Sequence, residues 1–102
     1  MIARVWRGAT LAEHAEEYAT YLEETGMSGA RKLPGARGTL VLRRERAGYA
    51  EFETILLFDS LEDIKAFAGD ELDLAVFFEE DDRYLVERDL EVRHYEVDVR
   101  MD

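Results

Sequence analysis

The spacing of apolar residues in the first quarter of the chain predicts a strand followed by a helix. Residues 2–7 are rich in β-branched and aromatic types and stop at Gly8, as a first strand would. Thr10-Leu-Ala-Glu13 then matches a capping box, in which the threonine side chain accepts a hydrogen bond from a free backbone N–H of the first helical turn. One apolar stripe at helical spacing faces the predicted core, and we expect Gly26 to end the helix. The stripe consists of Leu11, Ala15, Tyr18 and Leu22.

The middle of the chain predicts a loop and then an antiparallel hairpin. Residues 26–38 hold four glycines and the only proline, so we expect a solvated loop there, with an anion-binding or lid role as the alternative. Strands are predicted over 39–44 and 50–58, joined by a turn at Ala47-Gly48. The apolar run becomes continuous toward residue 58, which is typical of a strand covered on both faces. This run is the first indication of a dimer.

The last third predicts a second helix and a closing strand. Ser60-Leu-Glu-Asp63 is another helix-start motif, Gly69 interrupts the helix, and a further helical piece is expected over 72–78. Residues 91–99 alternate as a last strand. The order β-α-β-β-α-β is that of a ferredoxin-like α+β domain with an antiparallel sheet, and residues 1–102 are predicted to be a single domain.

In that topology the first and last strands are neighbours. Trp6 and His94 are therefore predicted to lie on adjacent strands. Whether they share a face depends on the register, which the sequence leaves open.

Charge and composition narrow the class of partner. The formal net charge of −11 opposes binding to phosphate backbones and anionic lipid, so neither nucleic acid nor membrane is expected as a partner. The chain has no cysteine, which excludes disulfides and thiolate nucleophiles or ligands. Charges interrupt the short apolar run at the N-terminus, so we expect no secretory signal or membrane span and a cytoplasmic location.

The two histidines are the first candidates for chemistry. His94 lies on the predicted closing strand and is our candidate catalytic acid or base, with a structural histidine hydrogen-bonded across the sheet as the alternative. His14 borders the helical stripe and is expected to be half exposed. The acidic run 79–82 lacks the spacing of a calcium loop and is interpreted as a solvated helix end. No motif for a metal or an organic cofactor occurs, and none is expected to be required.

Aromatic side chains are numerous, and most must belong to the core. A subset lining a pocket between sheet and helices would suit a flat aromatic ligand, with Arg4, Arg7 or His94 orienting a phenolate or carboxylate. The predicted substrate-binding residues are Arg4, Trp6, Phe58, Phe67, Phe77 and Tyr84.

The segment Phe58-Asp-Ser-Leu-Glu-Asp-Ile-Lys-Ala-Phe67 resembles the aromatic-x-Ser motif by which antibiotic biosynthesis monooxygenase (ABM)-like domains leave their third strand and enter a helix. The element order agrees along the whole chain. The start Ile-Ala-Arg-Val-Trp6 and the end His94-Tyr-Glu-Val97 are similar to those of a bacterial ABM subgroup of unassigned function.

This resemblance implies a homodimeric α+β barrel, formed by two sheets packing face to face, with a cavity in each protomer. Some members of the family are cofactor-independent monooxygenases of polycyclic phenols, and others degrade haem. The haem degraders use an asparagine, a tryptophan and a histidine, at positions that best match Arg7, Phe67 and Phe77 here, which argues against that route. Phe58 stands where a tryptophan is common, which weakens a direct transfer of the quinone-forming site.

Three functions are compatible with the sequence. The first is a cofactor-independent oxygenase that acts on a small aromatic molecule, with His94 assisting its deprotonation. The second is a non-catalytic ligand-binding or stress-response dimer. The third is an isomerase-like enzyme using His94 with Glu96 or a tyrosine. The fold alone does not choose among them.

Overall fold

The computed structural model describes residues 1–101, which form an antiparallel sheet with helices packed on one face. The strands are β1 (Ile2–Leu11), β2 (Ala36–Arg46), β3 (Tyr49–Phe58), β4 (Leu85–Arg88) and β5 (Arg93–Glu96). The helices are α1 (Ala15–Leu22), α2 (Ser28–Arg31), α3 (Leu61–Ala68) and α4 (Asp81–Tyr84). A 3₁₀ turn (Ala12–His14) precedes α1, and a π-helical turn (Glu23–Met27) joins α1 to α2. The last residue of the predicted domain, Asp102, lies outside the described residues.

The sheet order confirms the predicted ferredoxin-like α+β fold. β3 lies between β2 and β1, and the other edge of β1 pairs with both β4 and β5. The closing strand is thus divided into two short pieces along β1. No helix in residues 1–101 has the length and apolar character needed to cross a membrane.

The register answers the question that the sequence left open about the closing strand. Arg4 pairs with His94 of β5 on one side and with Leu56 of β3 on the other. Because Trp6 lies two residues after Arg4 on β1, Arg4, Trp6 and His94 all share the sheet face that the helices cover. Helices cover this face of the sheet, whereas no element of the described residues covers the opposite face.

Two apolar clusters fill the space between the sheet and the helices. The first contains Trp6, Ala15, Tyr18, Leu22, Ala50, Phe52 and Val92. The second contains Met27, Ala30, Leu56, Phe58 and Ile64. The opposite, outer face carries Leu40 and Leu42, which are 51% and 46% exposed.

The first helix does not begin where its capping motif predicts. Thr10 belongs to β1, which continues to Leu11 because that residue still pairs with Tyr49 of β3. The Thr10 hydroxyl donates to the Leu11 carbonyl at 2.8 Å instead of capping a helix. The helix starts at Ala15, after the 3₁₀ turn, with no side-chain cap. The capping-box prediction at Thr10 is therefore wrong.

Two further boundaries differ from the predictions. Gly26 does not end the first helix, since the chain continues through the π-helical turn to Arg31, and only 32–35 remain as a loop. Residues 72–78 are not helical. Their backbone pairs with the segment before β5, where Ala75 N–H donates to Leu90 O at 2.9 Å and Val92 N–H to Asp73 O at 2.8 Å.

Other local predictions are confirmed. Ser60 caps α3, and its Oγ accepts from Asp63 N–H at 3.3 Å. The hairpin turn has Ala47 at φ 50° and Gly48 at φ 86°, as a primed turn between twisted strands requires.

Candidate active site

A cavity of about 60 Å³ lies where the two apolar clusters meet, between the helix-covered face of the sheet and the segment from α1 to α2. Residues 75–78 form another wall, and Phe78, which is 48% exposed, stands among the lining residues. Pockets for small organic ligands usually measure about 300–1,000 Å³. A ligand therefore enters only if the walls move apart.

Arg4 brings a positive charge into this cavity. The residue is 3% exposed, and its Nη1 and Nη2 donate to the carbonyl oxygens of Leu72 and Leu74 at 2.6 and 2.8 Å. Its guanidinium carbon lies 5.7 Å from the centre of the Phe67 ring. Burial lowers the pKa of Arg4 to about 10, against a raising influence of Asp73, so the group stays charged at neutral pH. Within residues 1–101, no carboxylate forms an ion pair with it.

The segment that supplies these carbonyls is the one wrongly predicted to be helical. A helix over 72–78 would use its carbonyl oxygens within the helix. The turn at 72–73 and the bridge at Leu74 leave the oxygens of Leu72 and Leu74 free to accept from Arg4.

His94 lies beside the cavity and contacts it through Arg4. Its Nε2 is 3.1 Å from Arg4 Nη1, and its Nδ1 is 3.5 Å from Asp73 Oδ1. Because arginine only donates, Nε2 must accept, which assigns the neutral ring with its proton on Nδ1. Burial, and then the charge of Arg4, lower the pKa of His94, although Asp73 opposes this. His94 is not among the residues that line the cavity, and its catalytic role stays a prediction.

Three of the predicted aromatic residues line the cavity together with Arg4. They are Trp6, Phe67 and Phe77. The rings of Trp6 and Phe77 meet edge to face with centres 6.0 Å apart, and Trp6 Nε1 donates to Asp89 O at 2.8 Å. With that N–H occupied, Trp6 offers the cavity an apolar ring.

The other sequence candidates lie elsewhere. Phe58 is fully buried in the second cluster, and Tyr84 packs on Tyr18 outside the lining, with its hydroxyl 3.5 Å from Glu17. Arg7 lies on the outer face, 3.3 Å from Glu51. A binding role for these residues stays a prediction. His14 is half exposed, as expected.

Sequence reasoning missed the polar side chains on the α1 side of the cavity. Asp81 is 4% exposed, accepts from the Tyr18 hydroxyl at 3.0 Å and from Phe78 N–H at 2.8 Å, and lines the cavity with Tyr18 and Tyr21. The interpretation of residues 79–82 as a wholly solvated helix end is therefore wrong for Asp81. The only signal was the position of Tyr18 in the helical stripe, which predicts burial and hence a partner for its hydroxyl.

These lining residues are a poor match for haem. In the described part of the chain, no histidine or cysteine lines the cavity, and no group of three or more potential metal ligands occurs. Haem iron is held by histidine, cysteine, methionine or tyrosine. Tyr18, Tyr21 and Met27 line the cavity, but burial raises the pKa of both tyrosines and so disfavours the tyrosinate that would bind iron.

Several solved structures have the same fold as this chain. No protein-family model and no curated protein sequence matches the chain. A solved structure from Deinococcus radiodurans, classified by inference as an antibiotic biosynthesis monooxygenase, has a TM-score of 0.67 and 18% identity over 100% of this chain and 97% of that chain. A Bacillus cereus structure classified in the same way has a TM-score of 0.68 and 17% identity over 99% and 94% of the two chains.

The third similar structure is the haem degrader MhuD from Mycobacterium tuberculosis, with two haems in its active site. It has a TM-score of 0.63 and 14% identity, and all of both chains is covered. The fold of this protein is thus ABM-like. At these identities the likeness extends to the fold alone.

Proposed function

We propose that this protein binds a flat aromatic or phenolic anion in the cavity and acts on it as a cofactor-independent monooxygenase. The observation that carries the proposal is the buried, unpaired charge of Arg4 at the cavity wall. A buried cation held only by neutral groups is costly, and an anion that reaches it recovers part of that cost. The aromatic rings beside it favour a flat ligand.

The proposed reaction uses the electrons of the substrate. Arg4 stabilises the phenolate, which makes the ring a better reductant, and the aromatic walls exclude water. The phenol loses its hydroxyl proton and the hydrogen on the opposite ring carbon. One atom of O₂ becomes the second quinone oxygen and the other leaves as water, so the four electrons taken up by O₂ all come from the phenol. His94 serves in this proposal as a positioning residue that holds Arg4.

A non-catalytic binding protein is the second candidate. The residues that line the cavity favour it, because the tyrosines among them cannot act as a base near neutral pH. Burial raises the pKa of Tyr18 far above its ordinary value and the pKa of Tyr21 to about 12, so neither tyrosine is a base near neutral pH. Asp81 already accepts two hydrogen bonds. With no base among the described residues of the lining, a phenol would have to lose its proton in solution and enter the cavity as the phenolate.

We also propose a homodimer formed through the outer face of the sheet. In β3 the inward residues Leu56 and Phe58 are buried, whereas the outward Ile55 and Leu57 stay partly exposed. Together with Leu40 they form an apolar surface that a second copy would cover. The expected cytoplasmic location stays a prediction.

Naphthoate and naphthol titrations test the proposal. Calorimetry should show naphthoate binding to the wild type, and quenching of Trp6, the single tryptophan, should place it in the cavity. Arg4→Met should weaken binding at least tenfold, while Arg93→Met, which removes an exposed arginine from the neighbouring strand, should not. Equal binding by both variants would overturn the role of Arg4.

Oxygen uptake separates the two candidate functions. Incubation of naphthol panels with the enzyme should consume one O₂ per quinone formed, without added flavin, haem or metal. Tight binding with no oxygen uptake for any of the phenols would favour the binding protein over the monooxygenase.

A further inference from the structure

The α1 side of the cavity contains a hydroxyl group without a partner. Tyr21 Oη is inaccessible to solvent, and it is the buried side-chain polar atom that has no hydrogen-bond partner in the described residues. Its ring is stacked on Tyr18 with centres 5.8 Å apart, and both rings line the cavity. Leaving a buried hydroxyl unpaired costs about 1–3 kcal/mol, so this atom lacks a partner that a ligand can supply.

A carboxylate with spare acceptor capacity lines the same cavity. Asp81 accepts one hydrogen bond on each oxygen, from the Tyr18 hydroxyl and from Phe78 N–H. Each carboxylate oxygen has a second lone pair for a further donor. The residues that line the cavity thus include one with an unpaired hydroxyl and a carboxylate that can still accept, which together match a ligand hydroxyl, since that group both donates and accepts.

These groups lie well away from Arg4 along the sheet. Tyr18 packs edge to face on Phe52 of β3 with ring centres 5.2 Å apart, whereas Arg4 pairs with Leu56, four residues further along the same strand. The two groups and Arg4 therefore approach the cavity from different positions along the sheet.

We propose that Tyr21 and Asp81 form a hydroxyl-recognising subsite, so that the preferred ligand is an aromatic acid or phenolate that carries a hydroxyl away from its anionic group. This inference rests on the proposed function, which places the anion at Arg4. It adds a second polar contact and thereby narrows the ligand to aromatic anions that carry a second oxygen.

Two probes isolate the subsite. One is a hydroxynaphthoate with its hydroxyl on the ring distant from the carboxylate, and the other is naphthoate without that hydroxyl. Both are titrated calorimetrically into the wild type, Tyr21→Phe and the control Tyr49→Phe, which removes a hydroxyl from the partly exposed hairpin end. The wild type and the control should prefer the hydroxylated probe about tenfold, and Tyr21→Phe should bind the two probes equally.

Each outcome is informative about one proposal or both. If the wild type binds both probes equally, or if Tyr21→Phe keeps the preference, the subsite is wrong while anion binding at Arg4 stands. If neither probe binds the wild type, the proposed function fails and the subsite fails with it.

The melting temperature of the unliganded variant gives an independent check. Tyr21→Phe removes only an unpaired hydroxyl, so its melting temperature should equal or exceed that of the wild type. A clear fall would show that the hydroxyl already has a structural partner within the protein, and the subsite would be withdrawn.

Discussion

The hydrogen bond between Arg4 and His94 fixes the protonation state of the histidine. A guanidinium has no acceptor, so the imidazole must present an unprotonated Nε2 to it. Burial and the adjacent positive charge both lower the pKa of His94, and the opposing carboxylate of Asp73 is 78% exposed and screened by solvent. A neutral His94 is thus part of what holds Arg4 in place.

The lowered pKa of His94 predicts a loss of stability on mild acidification. The folded-state pKa lies below the ordinary value of 6.5, so the contribution is complete above that pH and is lost as the pH falls through the folded-state pKa. Chemical denaturation between pH 7.5 and about 5 should show the unfolding free energy falling more steeply for the wild type than for His94→Gln. Parallel curves would show that His94 titrates alike in both states.

Removal of the imidazole should affect ligand binding more than folding. In His94→Ala, Arg4 keeps its hydrogen bonds to the carbonyl oxygens of Leu72 and Leu74 but loses the contact with the imidazole that orients Nη1. We expect naphthoate affinity to fall about tenfold and the unfolding free energy to change by less than about 1 kcal/mol, with His14→Ala as the control. A loss of about 1–3 kcal/mol with binding intact would make His94 a structural residue instead.

At the scale of elements, two helix-start motifs of the same kind have opposite outcomes. Ser60-Leu-Glu-Asp63 caps α3, whereas Thr10-Leu-Ala-Glu13 lies at the end of β1 and the 3₁₀ turn that follows it. The difference comes from residues distant in sequence, because β3 and β4 extend their ladders to Thr10. Local motifs predict caps, but strand pairing determines whether a residue is available to act as one.

The cap at Ser60 can be tested against a serine that caps nothing. Ser60→Ala removes the bond from Asp63 N–H and should lower the unfolding free energy by about 1 kcal/mol. Ser28→Ala at the start of α2, a helix with no side-chain cap, should change it by less than half of that. Urea denaturation of both variants measures the difference, and equal effects would contradict the capping role.

The sequence predicted one side of the cavity better than the other. Arg4, Trp6, Phe67 and Phe77 were predicted as binding residues, and all four line the cavity. Tyr21 and Asp81 were missed, because an acidic run normally marks solvent and a helix does not reveal which of its residues borders a void. The two carbonyls that hold Arg4 were also hidden, since their backbone conformation depends on pairing with residues 90–92.

At the scale of the whole molecule, the outer face carries a cluster of arginines in a strongly acidic protein. Three arginines surround the buried carboxylate of Glu51, with Arg44 Nε at 2.5 Å, Arg46 Nε at 2.8 Å and Arg7 Nη2 at 3.3 Å. Hydrogen bonds from Arg44 and Arg46 lower the pKa of Glu51. The net charge of −11 repels a second copy over most of the surface. On this face the arginines offset the charges of Glu51, Glu53 and Glu87, so the repulsion is weaker there, and they lie on the same side as the apolar residues.

The proposed dimer therefore predicts a specific sensitivity at this face. Introducing two carboxylates in Leu40→Glu/Leu42→Glu places charge in the centre of the apolar surface, where each leucine is about half exposed in the single chain. Size-exclusion chromatography with light scattering at micromolar concentration should show a dimer for the wild type and a monomer for the double variant. Leu61→Glu changes a leucine that is 45% exposed on α3, on the opposite side, and should remain dimeric. A folded wild-type monomer would refute the barrel, because the outer face would then be stable in water without a partner.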